Sequence, residues 1–277
     1  MRHPTGHTAA TRDQSDALGL TVLSLARHRS LDHLTLSIPA LAAILLVPVA
    51  FNLGEWLLRD RISGLWAGVL RFWIDRIGID GSVSEQLTRV AWFDFNLPYT
   101  DVIAPAPDVL TWCVALIGTV VVCLMAFRIR DQYLPLRYFL LFAVFIQATA
   151  LLFFAVAPQS FPYTASRYVD NGVKTCASFL FLVPWGHALV YYIFDFSWPK
   201  KLFLTLLTLV FVVIAVPMQL ALHVYLMVSC SLLMMPLLSF VFGPTMLVFG
   251  CIALYGWAMS WKRVERAALA EAVDSGR

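Results

Sequence analysis

Residues 202–261 read LFLTLLTLVFVVIAVPMQLALHVYLMVSCSLLMMPLLSFVFGPTMLVFGCIALYGWAMSW. They contain no aspartate, glutamate, lysine or arginine, and a single histidine, His223. An apolar run of about 20 residues already reads as a membrane span, and this one is about three times as long. Two crossings of a ~30 Å hydrocarbon core need about 40 residues at ~1.5 Å per residue. The expected solution is two long helices, about 202–225 and 237–261, joined near Ser229-Cys230-Ser231 and Pro236. Pro217 kinks the first of them and Gly243-Pro244 the second. A turn at Gly243-Pro244 would make a third crossing of the same block, the alternative reading.

Outward from that block the pattern continues. The 277 residues are 60% hydrophobic and 13% charged, half the charge of an ordinary soluble domain at about 25%. Further spans fall at roughly 35–58, 108–128, 136–157 and 175–195, with Trp56, Trp112, Tyr138 and Trp198 at their ends as interfacial aromatics. The expected fold is an all-α polytopic transmembrane helix bundle of six spans, or seven under the alternative turn. The net charge of +3 is too small to imply nucleic acid, and its distribution says more than its sum. Arg27 and Arg29, then Arg128, Arg130 and Arg137, then Lys200 and Lys201, then Lys262, Arg263 and Arg266 flank alternate ends of the spans. The positive-inside rule assigns all of them to the cytoplasm. The chain therefore divides into a cytoplasmic arm (1–33), a membrane domain (34–261) and a cytoplasmic tail (262–277). It is expected in a bacterial-type inner membrane with its N-terminus inside. The arm offers no cleavable signal, and its leucines from Leu18 to Leu25 suit a short amphipathic helix on the headgroups.

The segment 59–107 then faces outward. Ile62, Leu65, Trp66, Val69, Leu70, Trp73 and Ile77 follow helical spacing, with Ser63, Arg71 and Asp75 opposite, predicting an amphipathic helix on the outer surface. Ser82 with Glu85 three residues on reads as a capping box opening a second helix through about Trp92. Together these form an extracytoplasmic amphipathic helical hairpin. Its acids outnumber its arginines, so it presents no basic surface.

Polar groups inside spans are costly and mark candidate sites. Glu55 lies near the outer end of the first span beside Arg59 and Arg61, where an interfacial or paired carboxylate is expected. Gln147 lies mid-span and is suited to bridging helices by hydrogen bonds. His187 is deep in the fourth span. Gln219 and His223, one turn apart on one face, are placed to line the mouth of a cavity. Each histidine reads either as a neutral imidazole bonded to a hydroxyl or carbonyl, or as a functional group. No carboxylate or cysteine stands at ligand spacing to complete a metal or haem site, so no cofactor is expected. Cys113, Cys123, Cys176, Cys230 and Cys251 read as packing residues, with a disulfide among Cys113, Cys176 and Cys230 as the sharper alternative. Met218, Met227, Met234, Met235 and Met246 show no paired repeat and read as packing. Glycine-rich phosphate loops, nucleophile elbows and metalloprotease histidine pairs are lacking.

Pro184-Trp185-Gly186-His187 and His223-Val224-Tyr225-Leu226 resemble two motifs of the type-2 phosphatidic-acid phosphatase and sphingomyelin-synthase superfamily of six-span enzymes. The likeness covers about 80 residues. It implies a lipid-phosphate substrate, with His187 and His223 as the candidate catalytic pair. The departures are specific: Trp185 replaces the motif serine. With His223 on the family's arginine, Ser229 and Leu233 occupy the nucleophile and aspartate positions; with His223 as nucleophile, Met227 takes the aspartate's place. Phosphoryl transfer depends on positive clamps and an oriented nucleophile, so a degenerate relative is implied. Scarce buried charge points to a non-catalytic subunit or channel-like component that handles an apolar or lipid-linked molecule, with a membrane partner or second copy. The alternatives are a lipid-phosphate enzyme and a secondary carrier, whose broken helices would be the Pro217 and Gly243-Pro244 sites.

Overall fold

Helices occupy nearly all of the apolar sequence in the computed structural model, which describes residues 38–90, 93–193 and 198–275. The amphipathic segment expected at Leu18–Leu25 lies outside the described residues. The chain divides into two units, residues 1–45 and 46–277. Within the first, residues 38–45 are described and are helical; the contacts below all belong to the second. The elements are α1 (Ile38–Ile77), β1 (Gly81–Val90), β2 (Phe93–Val102), α2 (Val109–Arg128), α3 (Leu134–Val156), α4 (Ala165–Ile193), α5 (Trp198–Cys230), α6 (Met235–Phe240) and α7 (Pro244–Ser275). Among the described residues, five stretches are long and apolar enough to cross a membrane: Val109–Arg128, Asp131–Val156, Ala165–Val190, Trp198–Cys230 and Leu232–Trp261. This is a multi-pass, all-α membrane protein.

The expected first span and surface helix are one continuous helix, α1. Charge at the edge of an apolar run does not end a helix; a broken backbone does. Arg59 stays helical, donating to the Trp56 carbonyl at 3.0 Å and lying 4.5 Å over the Trp56 ring. Termination comes at Gly78, whose φ of 72° allows two bonds, Ile79 N to Ile74 O (3.1 Å) and Gly78 N to Asp75 O (3.3 Å). That is a Schellman cap. The expected apolar face exists, but it faces the bundle: Trp66, Leu70 and Ile74 are buried.

The second helix of the expected outer hairpin is absent. Strands Gly81–Val90 and Phe93–Val102 form a two-stranded antiparallel sheet, with Gly81 opposite Val102 and Val90 opposite Phe93. The capping-box spacing was outweighed by the period-two alternation of Phe93, Phe95 and Leu97 with Asp94 and Asn96, which suits a strand packed on one face. Phe95, Leu97 and Val102 join the core with Trp66, Leu70 and Ile74. The hairpin lies along α4. Ser166 Oγ accepts from Val102 N at 3.0 Å, and the Phe95 and Phe181 rings pack at 5.6 Å. Ser63 of α1 donates to the Asn96 carbonyl from the other side. Seven residues of strand therefore match fifteen of helix, both about 23 Å long.

In the block 202–261 the join falls at Ser231, which has a φ of 84°. Gly243-Pro244 separates two helices where a kink was expected: Gly243 passes against the Ser239 carbonyl oxygen with no room for a side chain, and Pro244, with no N–H to donate, opens the next helix. The third crossing of the seven-span alternative has no helix to make it: α6 has six residues, about 9 Å. Helix α4 begins ten residues before the expected 175, its first turns joined by the Asp170–Lys174 ion pair at 2.6 Å. All five cysteines are free, so the disulfide alternative is not realised.

Short connections make successive helices antiparallel. Gly172 meets Leu220 and Gly250 meets Phe211 at distances that leave no room for a Cβ. Consequently the 129–133 connection, the end of α4 and the start of α5, with Arg128, Arg130, Arg137, Lys200 and Lys201, lie at one end of the bundle. The β-hairpin and the segment 231–243 lie at the other.

Candidate functional site

At the hairpin end, the start of α4, the end of α5 and the break between α6 and α7 converge. His223 is 2% exposed, and its Nδ1 lies 2.9 Å from the Tyr168 hydroxyl. One turn earlier on α5, the Gln219 amide nitrogen donates to the Gly243 carbonyl at 2.8 Å and also to the Phe242 carbonyl. The reason is local. A helix that stops at Phe240 and restarts at a proline leaves carbonyls without intrahelical donors, and in lipid each such group must find a partner. Gln219 supplies it. The spacing that placed Gln219 and His223 on one face also brings them together here.

Two cavities meet at this pair. One, of about 350 Å3, is lined by Tyr168, Asn171, Thr175, His223 and Ser239 among others. The second, of about 1130 Å3, is apolar and runs between α1, α5 and the α6–α7 break, with Trp73, Phe211, Met218 and Leu237 in its walls. Gln219 and His223 line both. The arrangement can receive an amphiphile: hydroxyls, an amide and an imidazole on one side of the pair, and a chain-sized greasy groove on the other. Met218 and Met246 line the groove and Trp73 Nε1 contacts Met218 Sδ at 3.2 Å, while Met227 and Met235 are core residues.

His187 is elsewhere. Its Nδ1 lies 3.2 Å from Thr205 Oγ1, and that hydroxyl donates to the Lys201 carbonyl at 2.9 Å. The hydroxyl proton being engaged, the ring nitrogen is the donor. Thr205 and His223 are eighteen residues apart on one helix, so the two histidines are separated by about 27 Å. They cannot share a metal ion, a haem or a phosphoryl group. Among the described residues no group of three or more His, Cys, Asp or Glu is placed to hold a metal.

The two remaining candidates depart from expectation. Glu55 is 6% exposed, and neither carboxylate oxygen meets a donor among the described residues; Arg59 turns to Trp56 and Asp60 instead. The helix carries Glu55 inward, a rotation that nearness in sequence to Arg59 does not reveal. Gln147 is 5% exposed and makes no interhelical hydrogen bond, both amide atoms being unpartnered among the described residues.

Sequence reasoning missed Tyr168, Asn171, Thr175 and Ser239. Arg167, Asp170 and Lys174 made the start of α4 look like a loop, although the Asp-Lys spacing of four was itself a helical signal. No protein family, curated protein or solved structure matches this chain.

Proposed function

We propose that this protein is a non-catalytic membrane component, a subunit or channel-like element, that accommodates an apolar or lipid-linked molecule at the outer face of a bacterial-type inner membrane. One observation carries the reading: Gln219 and His223 stand in the wall shared by a small polar-lined cavity and a larger apolar groove. A molecule with a polar head and long apolar tail has a place for each part. The basic residues gathered at the opposite end support a cytoplasmic assignment for that end by the positive-inside rule, which puts the cavities outside. Among the described residues Glu55 is the only buried acid, too little for a chain of proton-relay groups. The separation of the histidines gives a shared catalytic role no support.

The test is lipid analysis of the purified full-length protein in mild detergent. Wild type should retain a polar-headed, long-tailed lipid in near-stoichiometric amount, with His223→Ala lowering retention about tenfold and His187→Ala leaving it unchanged. Phosphate release from a lipid phosphate that both histidine substitutions abolish would replace this reading with the enzymatic one.

A further inference from the structure

The smaller cavity beside His223 has a specific set of polar groups in its wall. Asn171 and Thr175 stand one turn apart on α4, and Ser239 of α6 lines the same space. All three residues are exposed, so a ligand can reach them. Thr119, Ser178, Thr205 and Thr208 spend their hydroxyls on carbonyls four residues back, at 2.7–2.9 Å. Thr175 and Ser239 do not, and neither they nor the Asn171 amide has a hydrogen-bond partner among the described residues. Gln219 adds a fourth group, its Nε2 being committed to the Phe242 and Gly243 carbonyls and its Oε1 left to accept. Tyr163 and Tyr168 contribute aromatic rings. His223, 2% exposed, holds the Tyr168 hydroxyl from behind at 2.9 Å. Among the described residues no charged side chain lines the cavity. Lys174 is paired with Asp170 at 2.6 Å, and Arg167, a turn before Asn171, lies outside the lining.

Building on the amphiphile reading above, on which this assignment rests, we infer that the cavity receives an uncharged, hydroxyl-rich head: the sugar of a glycolipid whose tail lies in the adjoining apolar groove. A hydroxyl both donates and accepts, as do the side chains of Asn171, Thr175 and Ser239, so neighbouring sugar hydroxyls can meet all of them together. An ionised phosphate only accepts. It would face the lone pairs of Gln219 Oε1 and find no counter-charge in the lining. A head with a single hydroxyl, or an apolar helix from a partner, would cover these groups and leave most of them unpaired. The tyrosine rings present negative faces to the C–H bonds of a sugar. A volume of about 350 Å3 is at the small end of ligand cavities, about 300–1,000 Å3, which suits a compact head over a long glycan.

Full-length protein in mild detergent would be equilibrated with dioleoylglycerol, its monogalactosyl derivative or dioleoylphosphatidylglycerol, and bound lipid counted by native mass spectrometry. Wild type should hold about one equivalent of the galactolipid, about tenfold or more tighter than either of the others. Asn171→Leu and Thr175→Val should each remove that preference while leaving the binding of plain dioleoylglycerol unchanged. Ser178→Ala, one turn further along α4 and outside the cavity, should keep the preference. A galactolipid preference that survives both Asn171→Leu and Thr175→Val overturns the sugar assignment. Tighter binding of the phosphatidylglycerol, or equal binding of all three lipids, overturns it too and leaves the amphiphile reading standing. Binding of none of them by wild type overturns both. So does a lipid-free wild-type dimer that Asn171→Leu converts to monomer, which would assign these groups to a partner helix.

Discussion

Trp66 Nε1 donates to the Val213 carbonyl at 2.9 Å. That carbonyl is the one Pro217, four residues on, cannot bond, because proline has no N–H. A single indole thus repairs the gap that lets α5 carry a proline through its middle. Trp66→Phe should cost about 1–3 kcal/mol, the penalty of an unpaired buried carbonyl. In a Pro217→Ala background the new N–H reclaims Val213, so the same change should cost clearly less. Unfolding equilibria of the four proteins in detergent measure that coupling. Glu55 presents the opposite case, a buried carboxyl without a donor among the described residues. Glu55→Leu should raise the thermal midpoint by a few degrees in a detergent melt; a fall would mean that the carboxyl has a stabilising role. Pro217 was legible in sequence as a helix defect. The partner that repairs it was not, since Trp66 lies 147 positions away.

At the level of elements, ends matter more than interiors. Gly78 ends α1 with a φ of 72°, which a side chain adopts only with strain. Gly78→Ala should destabilise by about 1 kcal/mol, read as a shift in denaturation midpoint. The hairpin is held to α4 by Ser166, 7% exposed, which accepts from Val102 N and lies 3.0 Å from the Val102 carbonyl. Ser166→Ala leaves that N–H buried and unpaired, at a cost of about 1–3 kcal/mol. Amide exchange should quicken in β1 and β2 while the centre of α5 stays protected. The apolar face of α1 was legible from its 3.6-residue repeat, and only its direction was misjudged. The hairpin was misread because Ser82 and Glu85 match the two defining positions of a helix start, whereas Phe93, Phe95 and Leu97 reveal a strand only once the alternation is weighed above the cap.

For the whole molecule the axis is set by alternation of helix direction, with the basic connections at one end and the hairpin, α6 and both His223 cavities at the other. In a cysteine-free background, Ser84→Cys in β1 should react with a membrane-impermeant maleimide added to intact cells. Asp131→Cys, between α2 and α3, should react only after the membrane is opened. Reversed reactivity would turn the molecule over and move the proposed lipid site to the cytoplasmic face. That the chain is built for a membrane, and that most of it is long apolar helix, the amino-acid sequence determined unaided; where those helices begin and break it did not. Apolar transfer is summed residue by residue along a window, and needs no knowledge of neighbours in space. Which groups meet was decided only by tertiary structure: Tyr168 with His223, Gln219 with the α7 break, and Trp66 with the carbonyl Pro217 leaves bare. A hydrogen bond requires two atoms within about 3 Å, and residues 55 positions apart come that close only when the helices carrying them have packed.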